Sequence, residues 1–178
     1  MIKWLKENKP VDELDDELEK HLQQNNTMQR AKDALEGDIF FEKWCKPLFL
    51  MIEYQQSDDS NPSFLPLGNG IIHVEHILPK AYIAKEEWSD FHEDNDVEKW
   101  LHTGANLTLL SGVKNIAASN EGFAKKMAAY NGKGNYKSDK EGVTAFRITQ
   151  TIVDDYNSEK YGQEWNWDAM QDRWQWFC

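Results

Sequence analysis

The sequence has almost no cysteine. Cys45 and Cys178 are the only two in 178 residues, and nothing in their spacing pairs them. That excludes a four-cysteine zinc site, and reduced thiols in a cytoplasmic protein are the expected state. Long apolar runs are also missing. None approaches the roughly 20 residues that span a bilayer, so no membrane partner is expected. Met1-Ile2-Lys3-Trp4-Leu5-Lys6 leads into no apolar segment, so no secretion signal is expected either.

Positive charge is scarce as well. Lys and Arg total 20 against 31 Asp and Glu, a formal net charge of −11. That balance argues against broad electrostatic binding to nucleic acid. The acids are unevenly placed, however, and crowd into Val11–Glu19 and Glu86–Glu98. From Lys114 to Lys140 the balance reverses: Lys114, Lys125, Lys126, Lys133, Lys137 and Lys140 face only Glu121 and Asp139. A local basic surface is expected there, weak alone and reliant on another domain or subunit.

What is present is a globular composition. Charged residues are 29% and aromatics 12%, with eight tryptophans, which excludes a disordered chain. The length suits one domain with appended segments. Residues 1 to about 56 read as helical: Val11, Leu14, Leu18 and Leu22 recur at helical spacing, and Gly37-Asp38 reads as a stop and a new start. Ile39 to Tyr54 is strongly apolar and reads as a core helix, with Pro47 marking a kink or a late start. Gln55 to Gly70 is rich in turn residues. Ile71–His76 reads as a strand ended by Pro79, and Leu107–Leu110 as a second. Between them lies a polar, aromatic connection with Trp88, Phe91, Val97, Trp100 and Leu101 facing inward. Ile116–Tyr130 reads as one helix, Asn131–Gly142 as a loop, and Thr144–Tyr156 as another helix. The tryptophan-rich end reads as core or interface anchors, and its abrupt stop suggests the C-terminal piece of a longer protein.

Two stretches carry chemistry. His73-Val74-Glu75-His76-Ile77-Leu78-Pro79 crowds two imidazoles and a carboxylate into four residues. Asn106-Leu107-Thr108-Leu109-Leu110-Ser111-Gly112 is followed by Asn115, nine residues after Asn106. Hydrolysis of a phosphodiester needs a base for water, a cation for the phosphate charge, and groups that hold both. His76 suits the base. The Glu75 carboxylate and Asn115 amide oxygen suit a hard divalent ion such as Mg²⁺. Asn106 can bridge main-chain groups of the long connection and fix the histidine. Blander readings stand beside these. A lone histidine in an apolar strand is ordinarily a core residue, but two with a glutamate between them and a second motif point away from that for His76. For His73 both readings stay open. Asn115 could cap the following helix. Lys125 and Lys126 fit a solvated helix face at least as well as a DNA contact. His21, His92 and His102 have no motif around them and read as surface residues.

Glu75-His76-Ile77-Leu78-Pro79, Asn106 to Gly112, Asn115-Ile116, Ser119-Asn120 and Phe123 with Lys125-Lys126 resemble the HNH (His-Me finger, ββα-metal) endonucleases. The finer resemblance is to the C-terminal domain of GmrSD-type modification-dependent restriction enzymes. Ala105 departs from the pattern, which has glycine there; Gly104 sits one place earlier. The resemblance implies an α+β fold, a small ββα-metal core embedded in a mainly helical domain. It divides the chain into 1–69, a helical segment packing on the core, 70–130, the nuclease core, and 131–178, a helical Trp-rich segment. It implies His76 as general base, Glu75 and Asn115 as ligands of Mg²⁺ (or Mn²⁺), and Asn106 as the structural asparagine. His73 would line the site, and Lys114, Asn120, Lys125 and Lys126 would meet DNA. The implied substrate is modified or foreign DNA, attacked in defence against phage. Recognition and nucleotide hydrolysis belong to a separate N-terminal domain, in keeping with the lack of a Walker-type glycine loop here. The rival expectation is a binding or scaffold module, with His73 and His76 in a degenerate or structural zinc site.

Overall fold

The structure, a computed structural model, describes residues 10–56, 72–93, 96–132 and 146–177. Contacts divide the chain into two units, Met1–Glu36 and Gly37–Cys178. The first holds α1 (Val11–Gln24) and α2 (Thr27–Leu35). Asn25-Asn26 joins them, with Asn26 at φ 48°, a left-handed conformation that asparagine tolerates better than most residues.

The second unit opens with α3 (Cys45–Gln55). Ile39 to Trp44 precede it as turns, and Pro47 falls in its first turn, where a missing N–H costs nothing. So Pro47 marks a late start and not a kink. Next comes β1 (Ile72–His76), then two 3₁₀ turns (Tyr82–Ala84 and Glu86–Phe91), α4 (Val97–Leu101) and a third 3₁₀ turn (Gly104–Asn106). Strand β2 (Leu107–Ser111) runs straight into α5 (Gly112–Ala118), followed by α6 (Phe123–Tyr130), α7 (Arg147–Asn157) and α8 (Trp167–Phe177). The turn and loop signals at 57–71 and 133–145, and Lys133, Lys137 and Lys140 with them, lie outside the described residues.

The two strands pair antiparallel, with Ile72 opposite Ser111, Val74 opposite Leu109 and His76 opposite Leu107. Cross-strand partners share a face. Ile72, Leu107 and Leu109 therefore bury together, in a cluster with Cys45, Phe49 and Leu50 of α3 and Ile148 of α7. The other face carries His73, Glu75, Thr108 and Leu110. Leu110 joins a second core with Met127, Tyr130, Ile152 and Val153. Leu107, Leu109 and Leu110 have no exposed surface. Each contributes about 1.5–3 kcal/mol by leaving water, and the covering of both faces explains why the successive residues Leu109 and Leu110 are both apolar.

Polar groups tie the helices to this sheet. Glu53 of α3 accepts hydrogen bonds from the backbone N–H groups of Arg147 (2.8 Å) and Ile148 (3.0 Å). A carboxylate there satisfies two of the orphan donors of α7 and complements its dipole. The Thr108 and Thr149 hydroxyls bond at 2.8 Å, and Arg173 of α8 donates to the Leu107 carbonyl at 3.0 Å.

One expected element is corrected. The single helix over 116–130 is two, α5 and α6, broken at Ser119, which sits at φ 36°, ψ −137°. A non-glycine residue held there is strained, and the bend turns α6 back toward the strands.

The one described cysteine is inert by construction. Cys45 is free and 2% exposed, and burial, then the charge of Asp38, pushes its thiol up to about 12. Only the thiolate reacts. Iodoacetamide at pH 8 is expected to leave Cys45 unmodified in the native protein and to label it in urea, as read by peptide mass spectrometry. Rapid native labelling of Cys45 would contradict this packing.

Candidate active site

Glu75 and His76 end β1, and as neighbours on a strand they point to opposite faces. Because the strand stops there, both reach one open cleft of about 340 Å³. Its remaining wall is Pro79, Lys80, Asn115, Ile116, Ser119 and Asn120. Helix α5 packs against both strands and supplies Asn115 and Ile116.

His76 is 6% exposed. Its ring lies against Phe40, centroids 4.2 Å apart, and its Nε2 is 2.8 Å from Nδ1 of His102. Burial first, and then the neighbouring His102, Lys80 and Lys126, push His76 down to about 3. The imidazole is therefore neutral at physiological pH, the form in which it can take a proton. The sign of the linkage follows. An unfolded chain binds a proton at His76 below about 6.5 and the folded one does not, so folding stability falls as pH drops from that value toward 3. His76→Gln, which cannot titrate, is expected to lose less thermal stability than the wild type between pH 7 and pH 4. Parallel losses would place the depressed group elsewhere.

Glu75 is buried and accepts a hydrogen bond from Nζ of Lys126, which also donates to the His76 carbonyl at 2.7 Å. Burial raises the Glu75 carboxyl and lowers the Lys126 ammonium, and each partner pulls the other back toward its charged form. Lys126 thus corrects an expectation. It has no exposed surface, so it belongs neither to a solvated helix face nor to a DNA contact.

Asn115 lies in the first turn of α5, but Ser111 holds the N-cap position, so Asn115 is not the cap. Its Oδ1 is buried and has no hydrogen-bond partner among the described residues, an arrangement with a real desolvation cost. Asn106 is completely buried. It accepts from the Leu78 N–H (2.8 Å) and Trp165 Nε1 (3.2 Å) and donates to the carbonyls of Leu78 (3.0 Å) and Leu101 (2.9 Å). It thereby clamps the residues after His76 to both ends of the long connection.

His73 is half-buried on the Glu75 face, and its influence on the Glu75 carboxyl is a small one opposing the larger upward push of burial. Lys114 is buried, and its ammonium is drawn down to about 8 by that burial, which again corrects an exposed phosphate contact. Lys125 is exposed but paired with Glu121 at 3.1 Å. Asn120 is exposed at the cleft. Two site residues escaped the sequence reading. Lys80 lines the cleft directly after Pro79, and its signal was adjacency to the motif. His102, expected on the surface, is half-buried against His76. Its only signal was its place four residues before Asn106. His92 is also half-buried, with Nε2 at 3.1 Å from the carbonyls of Tyr82 and Lys85.

A family model for the C-terminal domain of GmrSD restriction endonucleases matches residues 12–177. The chain belongs to that family. No curated protein and no solved structure matches it. Membership gives this GmrSD-type domain a nuclease role in restriction, with DNA as its substrate. Among the described residues no helix is long and apolar enough to cross a membrane.

The donors of the GmrSD-type site fit a hard cation. Among the described residues no three His, Cys, Asp or Glu side chains converge as a metal site. What lines the cleft is Glu75, with its carboxylate, and Asn115, whose amide oxygen has no partner among the described residues; oxygen donors of these types suit Mg²⁺ when water and phosphate complete the shell. His73 and His76 point to opposite faces of β1, which disfavours a zinc site built on that pair.

Proposed function

We propose that this GmrSD-type domain is an HNH (ββα-metal) endonuclease. In this reading it hydrolyses DNA phosphodiesters with Mg²⁺, or Mn²⁺ in its place. Asn115 carries the proposal: it lines the same cleft as Glu75 and His76, and its buried Oδ1 has no hydrogen-bond partner among the described residues. Glu75 and Asn115 would hold the cation, which when bound supplies charge to the phosphate and the leaving oxygen. His76, kept neutral by burial, takes a proton from the attacking water. Asn106 holds the segment after His76 at fixed depth. Lys80 and Asn120, exposed on the cleft wall, would meet the phosphates of the bound strand. The biological setting is cleavage of modified or foreign DNA in the cytoplasm, with recognition and nucleotide hydrolysis in a separate domain.

The test is cleavage of supercoiled plasmid and of modified phage DNA with Mg²⁺, Mn²⁺ or chelator. Cutting in metal and none in chelator is the expected result, and nicked versus linear product reports one- or two-strand cleavage. Asn115→Ala removes a ligand; loss of an outer-shell partner alone costs about 10- to 100-fold in metal affinity, and loss of a ligand is expected to cost at least that. The Mg²⁺ titration of activity, and Mn²⁺ binding by calorimetry, are both expected to move to higher concentration. Two unchanged titrations would take Asn115 off the ligand set.

A further inference from the structure

The contact between His76 and His102 has a consequence for which nitrogen of His76 is free. Nε2 of His76 and Nδ1 of His102 lie 2.8 Å apart. Two neutral imidazoles at that distance share one proton, so only two arrangements exist. In one, His76 carries its proton on Nε2 and donates, and His102 accepts at Nδ1 and carries its own proton on Nε2. In the other, His102 donates from Nδ1 and His76 must carry its proton on Nδ1. An isolated neutral histidine side chain favours the Nε2–H form. The first arrangement keeps both rings in that form, and the second forces both out of it.

Among the described residues no hydrogen bond engages Nδ1 of His76. We infer that His102 is a positioning residue which holds His76 as the Nε2–H tautomer and leaves its lone pair at Nδ1. This rests on reading His76 as the base.

The surroundings are built to keep His102 in place. Its carbonyl accepts from the backbone N–H groups of Ile39 (3.1 Å) and Phe40 (3.3 Å). Its ring packs against those of Phe40, stacked at 5.7 Å, and Phe41, at 5.1 Å. Phe40 also backs the His76 ring. The same short segment therefore orients both imidazoles, which is how a second residue sets the tautomer of a catalytic histidine.

The experiment is long-range ¹H–¹⁵N correlation of histidine-labelled, metal-free 178-residue protein, with cleavage kinetics alongside. In the wild type, His76 is expected to show a protonated Nε2 and an unprotonated Nδ1. In His102→Phe its two nitrogens converge toward a tautomer mixture, and kcat falls by about tenfold or more while KM for DNA holds. His102→Gln, whose amide oxygen can accept from Nε2–H, restores the wild-type tautomer and most of kcat. A wild-type His76 protonated on Nδ1 overturns the assignment even if no variant folds. Unchanged tautomer and kcat in His102→Phe overturn it too. The two readings fail separately: undiminished cleavage by His76→Ala removes the base, while the nitrogen shifts still report what His102 does to the tautomer.

Discussion

His76→Ala is expected to abolish DNA cleavage and to leave the protein folded. A positioned general base contributes about 10² to 10⁴ in rate, and no second imidazole can take over. His73 lies on the opposite face of β1, and His102 sits behind the His76 ring, outside the residues that line the cleft. The structural cost is modest by comparison. Alanine removes one hydrogen bond and a ring contact with Phe40 at the edge of an open cleft, where water can reach the freed His102 nitrogen. About 1–2 kcal/mol is the scale for such a change, which in a chain of this length lowers Tm by only a few degrees. Plasmid cleavage and circular dichroism on the same preparation measure both effects. Cleavage within tenfold of wild type, in protein free of contaminating nuclease, would remove His76 from the chemistry.

The elements of this site were unequally legible in the sequence. The α+β order of strand, long connection, strand and helix was readable because β1 alternates apolar with polar residues, β2 is rich in leucine, and both are short segments next to turn residues. Glu75, Asn106 and Asn115 stood out because their side-chain types have few uses in an apolar setting, and the structure brings Glu75 and Asn115 to one cleft and buries Asn106 beside it. Lys126 was misread for a specific reason. Its charge suggested solvent, yet helical spacing puts it on the stripe of Phe123, Met127 and Tyr130, the face that is buried. Reading position before residue type would have placed it correctly and raised the question of its partner, which is Glu75, 51 residues away. The break between α5 and α6 was hidden because serine at φ 36° is an unusual choice. His102 was out of reach for another reason. Its meeting with His76 depends on how the long connection folds back, and nothing local encodes that.

Asn106→Ala is expected to fail in the opposite way, by unfolding. The side chain has no exposed surface and makes four hydrogen bonds within buried surroundings. Its orientation is settled by its neighbours: Oδ1 meets two N–H groups, and Nδ2 meets two carbonyls. Alanine strands all four partners, and each buried unpaired group costs about 1–3 kcal/mol. Those costs are not additive, but about 4–6 kcal/mol is a fair scale, against a total stability of about 5–15 kcal/mol. A fall in Tm of at least about 10 °C follows. Asn106→Asp separates the two ends of the amide. It keeps an acceptor for Leu78 and Trp165 but turns a carboxylate oxygen toward the carbonyls of Leu78 and Leu101, so it is expected to be no better than alanine. A drop of less than about 5 °C for both would mean that the clamp between β1 and the long connection is held by packing alone. The contrast with His76 is then the useful result. Loss of cleavage in the Asn106 variants should track the loss of folded protein and recover on cooling, whereas loss in His76→Ala should persist at every temperature at which the domain is folded.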